Sequence, residues 1–407
     1  MADRVTVIGW DGSPPGEAAR SALSAATLVA GTRHHLALPF VPEDAERIVL
    51  GSIDLAARRI ARHRGTAVVL ADGDPGFFGV VRALRTPEYG LEVEVVPGVS
   101  SVAQAFARAG MPWDDARVVV AHTRTLRRAV NVCRAHPKVA VLTAPGAGPA
   151  ELALLLGDEH RTFVICEALG TEHEQVTVLT SDKVADHTWR DPNVVLVVGA
   201  APAAAPAHVP VPAAAAQAGW LAGGDPDSSD RVRGWALPAE RYVPGDGPAH
   251  LRALQLARLG PRAGDLLWDI GAGGGAVAVE AARFGAAVIA VEADAEACGR
   301  IEDTARDFGV QVRVVHGLAP HVLEDLPEPD IVRIGGGGPE VVAACVARRP
   351  ERIAASAANR DEAEAVSRAL DEGGYAVERT LLQAVELDDE WSERERTVVF
   401  ALLGHRR

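Results

Sequence analysis

Four glycines stand at Gly271, Gly273, Gly274 and Gly275, with Asp269 two residues ahead of the first and the apolar run DLLW before that. A strand that runs into such a turn and then into a helix, here GAVAVEAARFG, exposes backbone N–H groups with no Cβ in the way. The helix amino end adds partial positive charge. Together they suit the polar part of a nucleotide-like ligand at the carboxyl end of a strand. Two ligand chemistries compete. Gly271-Ala272-Gly273 followed by Ala276 satisfies the dinucleotide pattern G-x-G-x-x-A, which is weak by itself. A dinucleotide would lay its pyrophosphate beside Asp269, where like charges repel. S-adenosylmethionine has no phosphate and carries a cationic amino group and a sulfonium, so a carboxylate there fits it better. Glu292 ends the next strand-like run, VIAVEAD, at the spacing where an acid takes ribose hydroxyls, and it would serve either ligand.

Two further loops carry the same kind of signal. Gly317 and Ala319 in HGLAP follow a third strand-like run and could border an adenine. Gly335, Gly336, Gly337 and Gly338 follow a fourth and offer backbone N–H groups but no acid, base or nucleophile. That suits an in-line displacement governed by positioning better than a hydrolysis. In the first half, LADGDPGFFG ends a strand-like run in Asp72-Gly73-Asp74-Pro75 and lacks the lysine of a phosphate-binding loop.

The elements that would hold these loops alternate. RVTVIG (Arg4–Gly9) reads as a strand, and PGEAARSALSAATLVAG as a helix stopped by Gly31. GTAVVLAD is a buried strand. LEVEVVPGVSSVAQAFARAG is a strand, a break at Pro97-Gly98, and a helix opened by Ser100 or Ser101 and closed by Gly110. ARVVVAHTR, KVAVLTAPGAGPAELALLL, TFVICEAL and NVVLVVGA continue the pattern, which predicts α/β architecture with a largely parallel sheet. In the second half, DLLWDIG, AAVIAVEAD, VQVRVVHG, PDIVRIGGGG and ERIAASA read as five strands, and GYAVERTLLQAVEL with RERTVVFALL as a terminal pair. That is the pattern of a doubly wound sheet.

A chain of 407 residues implies two domains. The segment APAAAPAHVPVPAAAA (201–216), with GGDPDSSD soon after it, reads as extended linker. We expect domains at 1–200 and 231–407, with the linker at 201–230. A net charge of -14, with no compensating basic run, argues against nucleic acid and anionic membranes as partners. No apolar leader opens the sequence, and its longest apolar stretch, near 194–211, is interrupted by Gly199, Pro202, Pro206 and Pro210; with scattered cysteines besides, a cytoplasmic protein is expected. Cys133, Cys166, Cys298 and Cys345 form no CxxC pair, so neither a metal site nor a disulfide framework is expected. Lys138 and Lys183 are the only lysines, leaving arginine to meet any anionic substrate.

In order and spacing, VTVIGWDGSPPGEAARSALSAATLVAG, DGDPGFFG, VEVVPGVSSVAQAFARAGMPW, VVVAHTR and VICEALGTEHEQV resemble the tetrapyrrole methylase family, in its cobalamin-pathway branch. This likeness covers about the first 200 residues. WDIGAGGGAVAVE, VEAD and HGLAPHVLEDLPEPDIVRIGGGG resemble the decarboxylating precorrin methyltransferases. The resemblance implies a two-lobed tetrapyrrole methylase fold followed by a Rossmann-like class I methyltransferase fold. It implies two S-adenosylmethionine sites per chain. The first would use Asp72, Gly73, Asp74, Pro75, Gly79, Ser100 and Ser101, with loops carrying Pro145 and Ala168 nearby. The second would use Asp269, Gly271, Ala272, Gly273, Gly274, Gly275, Glu292 and Ala319. Gly9 and Asp11 in the first fold, and Gly335, Gly336 and Gly337 in the second, would face the substrate.

The reaction implied is methylation of carbons 5 and 15 of precorrin-6B, with decarboxylation of the carbon-12 acetate, to give precorrin-8. Arg33, Arg124 and Arg333 are candidates for its carboxylates, and a homo-oligomer is expected. The sequence departs from the family pattern in three places. GDGPAHLRAL stands where a Thr-Lys segment is usual, Ser356 where an Asn is usual, and Gly274 where a small hydroxyl residue is common. Two other readings stay open at this level: an NAD-dependent oxidoreductase using the Gly271 loop, and a tetrapyrrole carrier whose second domain has lost activity.

Overall fold

The structure, a computed structural model, describes residues 4–199, 234–242 and 247–407. The expected linker at 201–230 lies outside the described residues. Three sheets organise the chain. The first holds β1 (Arg4–Trp10), β2 (Leu28–Gly31), β3 (Glu46–Val49), β4 (Ala67–Asp72) and β5 (Glu92–Val96), in the order β3-β2-β4-β1-β5. Every pairing in it is parallel. Its inner strands are buried on both faces, which is why VTVIG and AVVLA read as unbroken apolar runs.

One reading changes here. The segment after Pro15 is not a single helix ending at Gly31. The helix spans Glu17–Ser24, and Leu28–Gly31 is β2, fully buried between β3 and β4. Four apolar residues in a row fit a buried strand or a buried helix equally well, and only their neighbours decide.

The second sheet holds β6 (Arg117–Val120), β7 (Lys138–Leu142), β8 (Thr162–Glu167), β9 (Gln175–Thr180) and β10 (Asn193–Val198), in the order β6-β7-β10-β8-β9. Only β6 and β7 pair in parallel. The expected parallel sheet therefore describes the first sheet and not this one. The connection from β8 to β9 is too short for a crossover helix, so those strands must return antiparallel.

The third sheet holds β11 (Leu266–Ile270), β12 (Ala287–Glu292), β13 (Arg313–His316), β14 (Ile331–Ile334), β15 (Arg352–Ala357), β16 (Tyr375–Leu387) and β17 (Glu393–Arg406). Its order is β13-β12-β11-β14-β15-β17-β16, with five parallel strands and a closing antiparallel hairpin, as expected. Strand order reverses between β11 and β14, so a crevice opens beyond their carboxyl ends. Leu266, Trp268 and Ile270 fill one face of the core and Leu267 the other.

The helix Leu126–Ala135 joins the second sheet's layer to the third. Arg127 pairs with Asp330, and Asn131 Nδ2 donates to the Gly264 carbonyl at 3.0 Å and to Asp330 Oδ2 at 3.3 Å. Asp330 also accepts from Leu266 N at 2.8 Å. These contacts engage the amino ends of β11 and β14, away from the glycine loops. Among the described residues, no helix is long and apolar enough to cross a membrane.

Candidate functional site

At the carboxyl edge of the third sheet, the two glycine loops meet. Gly335 N donates to the Ile270 carbonyl at 2.8 Å, and Gly271 N to the Val291 carbonyl at 2.9 Å. A Cβ on Gly335 would lie 2.5 Å from the Gly271 carbonyl oxygen, so this crossing admits no side chain. Gly271, Gly273 and Gly275 all have positive φ, and only glycine takes that conformation at little cost. The turn then opens the helix Ala276–Arg283.

Glu292 sits at the end of β12 over this turn. Its Oε2 accepts from Gly273 N at 2.8 Å, and Oε1 accepts from Ala293 N and Asp294 N. A carboxylate has about four acceptor directions, so Oε2 keeps one for a ligand hydroxyl. Gly317 N bonds the Glu292 carbonyl at 2.9 Å, which brings the HGLAP loop and Ala319 to the same edge.

Asp269 is fully buried beneath the turn. Arg333 Nη1 donates to its Oδ1 at 2.9 Å and to the Gly271 carbonyl at 3.0 Å, while Oδ2 has no hydrogen-bond partner. Burial pushes the Asp269 carboxyl above its ordinary range, and the Arg333 guanidinium opposes this only in part. Asp269 is screened by a cation, so its charge alone no longer separates a dinucleotide from S-adenosylmethionine. Arg333 is engaged with Asp269 and the loop rather than extended toward a substrate; Arg33 and Arg124 are exposed.

Replacing Arg333 by Met would strand that carboxyl without a counter-charge. The folded carboxyl binds its proton at higher pH than the unfolded one, so the native state holds more protons and stability falls as pH rises. We expect Arg333→Met to be close to wild type near pH 4 and to lose about 3–5 kcal/mol toward neutrality. Urea unfolding across that pH range reads it; a pH-independent loss would refute it.

The helix behind the loop carries the buried acid Glu280. It accepts from Ala236 N at 2.5 Å, Leu237 N at 2.9 Å, Tyr242 Oη at 2.7 Å and Arg252 Nε at 3.2 Å. Arg252 also donates to the Leu237 carbonyl and lies over the Tyr242 ring. So the departure GDGPAHLRAL contributes an arginine that turns into the core. The sequence reading missed this network because its members come from separate stretches and only burial makes them a unit.

The second site region lies at the carboxyl edge of the first sheet. Here β1, β4 and β5 end in loops whose backbones touch. A Cβ on Gly9 would stand 2.5 Å from Gly98 N, 2.8 Å from Pro75 Cδ and closer still to the Gly73 carbonyl oxygen. Gly73, at φ +61°, backs onto Ser101 N, 2.7 Å from where its Cβ would be. Ser100 caps the helix Ser101–Ala109 by accepting from Val102 N at 3.3 Å. Asp74 Oδ1 accepts from Gly76 N at 2.8 Å and shapes the turn before the exposed Phe77 and Phe78. Gly79 packs against the Pro75 carbonyl.

Asp11 fastens the first loop, with Oδ2 accepting from Val99 N and Oδ1 from Ser13 N, each at 3.0 Å. Gly12 lies directly against Gly170, so this loop meets the loop that follows β8, where Ala168 has φ +47°. Pro145 is exposed on the loop after β7. The structure thus gathers Gly9, Asp11, Asp72, Gly73, Asp74, Pro75, Gly79, Ser100 and Ser101 at one edge. It adds His34 and His35, whose Nε2 atoms lie 3.1 and 3.0 Å from Asp72 Oδ1. Adjacent histidines in RHHL were the only signal for them.

All four cysteines are free and buried, and burial pushes the Cys133 and Cys345 thiols up to about 12 and Cys166 to about 11. None is a thiolate nucleophile at neutral pH.

Residues 14–185 match the family described as tetrapyrrole (corrin/porphyrin) methylases, and residues 248–389 match the precorrin methyltransferase domain. A precorrin-6Y C(5,15)-methyltransferase [decarboxylating] from Sinorhizobium sp is 34% identical over 82% of this chain and 78% of its own length. The chain belongs to that family. Each half also has separate relatives. A cobalt-precorrin-7 C(5)-methyltransferase from Salmonella typhimurium is 35% identical over 42% of this chain and 88% of its own. A probable cobalt-precorrin-6B C(15)-methyltransferase (decarboxylating) from Pyrobaculum calidifontis is 40% identical over 28% of this chain and 64% of its own. The oxidoreductase and carrier readings find no support in these relatives. Family membership, rather than the charge of Asp269, is what implies use of S-adenosylmethionine.

Proposed function

We propose that this chain is a bifunctional S-adenosylmethionine-dependent methyltransferase of corrin-ring biosynthesis. It methylates carbons 5 and 15 of precorrin-6B and decarboxylates the carbon-12 acetate, giving precorrin-8. The observation that carries this is that one chain joins two halves, each similar to a relative named for one of the two methylations. The reading places carbon-5 methylation in the domain 1–200, and carbon-15 methylation with decarboxylation in the domain 231–407.

S-adenosylmethionine supplies an electrophilic methyl group on a sulfonium. The chain's own task is to hold and orient. In the second domain, Gly271–Gly275 would present backbone N–H groups, Glu292 its remaining acceptor direction, and Ala319 an apolar border. The Gly335–Gly337 loop would line the substrate side. In the first domain, the Asp72–Pro75 turn with Gly79, Ser100 and Ser101 would line the cofactor, and Gly9 and Asp11 would set the loop facing the tetrapyrrole. A meso carbon of a reduced tetrapyrrole is already enamine-like, so attack needs alignment and exclusion of water more than a strong base.

The reading extends to a homo-oligomer, supported by exposed Leu381, Val385, Leu387 and Val398 along the β16–β17 hairpin. It extends to a cytoplasmic setting, supported by free, buried cysteines.

The full chain incubated with precorrin-6B and isotopically labelled S-adenosylmethionine is expected to yield a product that has gained two methyl groups and lost carbon dioxide. Titration with S-adenosylhomocysteine is expected to show two sites. Glu292→Ala is expected to weaken one of them and to slow carbon-15 transfer about 100-fold while carbon-5 transfer continues. Absence of binding at either site would sink the proposal.

A further inference from the structure

At the carboxyl edge of the first sheet, Asp72 of the proposed cofactor loop meets two imidazoles that methyl transfer gives no role. β2 and β4 are parallel neighbours, so the segment after β2 and the last residue of β4 come together in space. The first contributes His34 and His35 and the second contributes Asp72. His34 Nε2 is hydrogen-bonded to Asp72 Oδ1 at 3.1 Å, and His35 Nε2 lies 3.0 Å from the same oxygen without hydrogen-bond alignment. One donor atom from each residue falls within 4.8 Å of the others. Ligands held about 2.0–2.1 Å from one cation stand roughly 3.0–3.4 Å apart, and each Nε2 already has that spacing from Asp72 Oδ1.

We propose that His34, His35 and Asp72 form a binding site for one divalent late first-row cation, with Zn²⁺ as its probe. Three features beyond the ligand set support it. His35 is fully buried, yet its Nε2 has no hydrogen-bond partner. A buried imidazole nitrogen beside a carboxylate but without a bond to it leaves an unmet electrostatic demand, which a cation held by both would meet.

The outer contacts also suit a metal. Thr32 Oγ1 lies 2.9 Å from Nδ1 of His34 and 2.9 Å from Nδ1 of His35. A hydroxyl oxygen accepts two hydrogen bonds, so it can hold both rings in the tautomer that turns an Nε2 lone pair inward. Trp10 walls the cluster, with ring centroids 5.9 Å from His34 and 5.8 Å from His35.

Access is open on one side. The side chains of His34 and Asp72 are 37% and 41% exposed, so a cation can enter and its remaining positions can take water or a ligand carboxylate. Two imidazoles and one carboxylate favour zinc, nickel or cobalt over magnesium or calcium. The sequence rule that reads metal sites from short cysteine and histidine spacings does not detect this one, because its ligands are 37 residues apart and the sheet joins them.

The competing arrangement is metal-free. In it Nε2–H of each ring donates to Asp72, and Thr32 N, 3.4 Å from His35 Nδ1, donates there. Equilibrium dialysis of the chelator-stripped full chain against Zn²⁺ separates the two. The site predicts one more bound equivalent in wild type than in Asp72→Asn or His34→Gln, both at partly exposed positions where the fold tolerates change. Thr32→Val, with all ligands intact, is expected to bind about 10–100-fold more weakly. Co²⁺ is expected to give a visible absorption band in wild type that both ligand variants lose. Equal zinc uptake by wild type and the two ligand variants, all with the same far-ultraviolet circular dichroism, would overturn the proposal.

Discussion

Glu280→Ala is expected to cost the third sheet and its helices about 3–5 kcal/mol. Glu280 and Arg252 are essentially fully buried, at 0% and 1% side-chain exposure, so removing the acid leaves a guanidinium charged, desolvated and unpaired. The loss goes beyond the ion pair. Leu237 N and Tyr242 Oη, both buried, and Ala236 N, part-buried, lose their acceptor together and carry a share of that total set by how far water enters. The segment around residues 234–242 is fastened to the helix Ala276–Arg283 through these bonds, and that helix opens at the glycine loop.

Hydrogen exchange in β11 and β12 is expected to accelerate, and affinity for S-adenosylhomocysteine at this loop to fall with it. A second change, Arg252→Met, removes the stranded charge. The double variant is therefore expected to be no less stable than Glu280→Ala alone, although the three lost donors keep it below wild type. If Glu280→Ala unfolds in urea as wild type does, the account of this core is wrong.

Gly9→Ala is expected to remove carbon-5 methylation while leaving carbon-15 chemistry intact. One methyl is enough because what it meets is the backbone at Gly98 N and the Gly73 carbonyl, together with the rigid Pro75 ring, none the movable end of a side chain. Overpacking of this kind costs about 1–3 kcal/mol when the surroundings shift to admit it. The shift falls on the ends of β1, β4 and β5, which carry the candidate cofactor loops. A displacement of about 1 Å there is expected to slow transfer about 100-fold. Mass analysis of product from precorrin-6B should then show a single added methyl group and loss of carbon dioxide. Two added methyl groups at the wild-type rate would exclude a positioning role for this crossing. Gly110→Ala makes a useful control, since a Cβ there meets nothing within 4 Å and its left-handed φ strains only a helix end.

Much of the third sheet was legible because its strands are buried on both faces and each ends in a distinct turn. DLLWDIG, AAVIAVEAD and PDIVRIGGGG needed no neighbour to be read, and the β16–β17 hairpin followed from two long apolar-rich runs. Leu28–Gly31 was misread for the opposite reason: four buried residues carry no period, and β3 and β4 on either side supply the strand. The antiparallel half of the second sheet was hidden in a loop length, from β8 to β9, rather than in any strand's composition.

The same division holds for the sites. The order of glycines, acids and apolar runs by itself pointed to a nucleotide-type turn at Gly271–Gly275 with Glu292 beside it, and to the family that both halves resemble. Those are local patterns, set by which residues a turn or a strand end tolerates. What the tertiary structure decided is where charge goes. It buried Asp269 and set Arg333 against it, turned Arg252 inward to Glu280, and brought His34, His35 and Asp72 to one point. The free energy of a charge depends on its desolvation and on partners that are remote along the chain, and neither is set until the sheets are assembled.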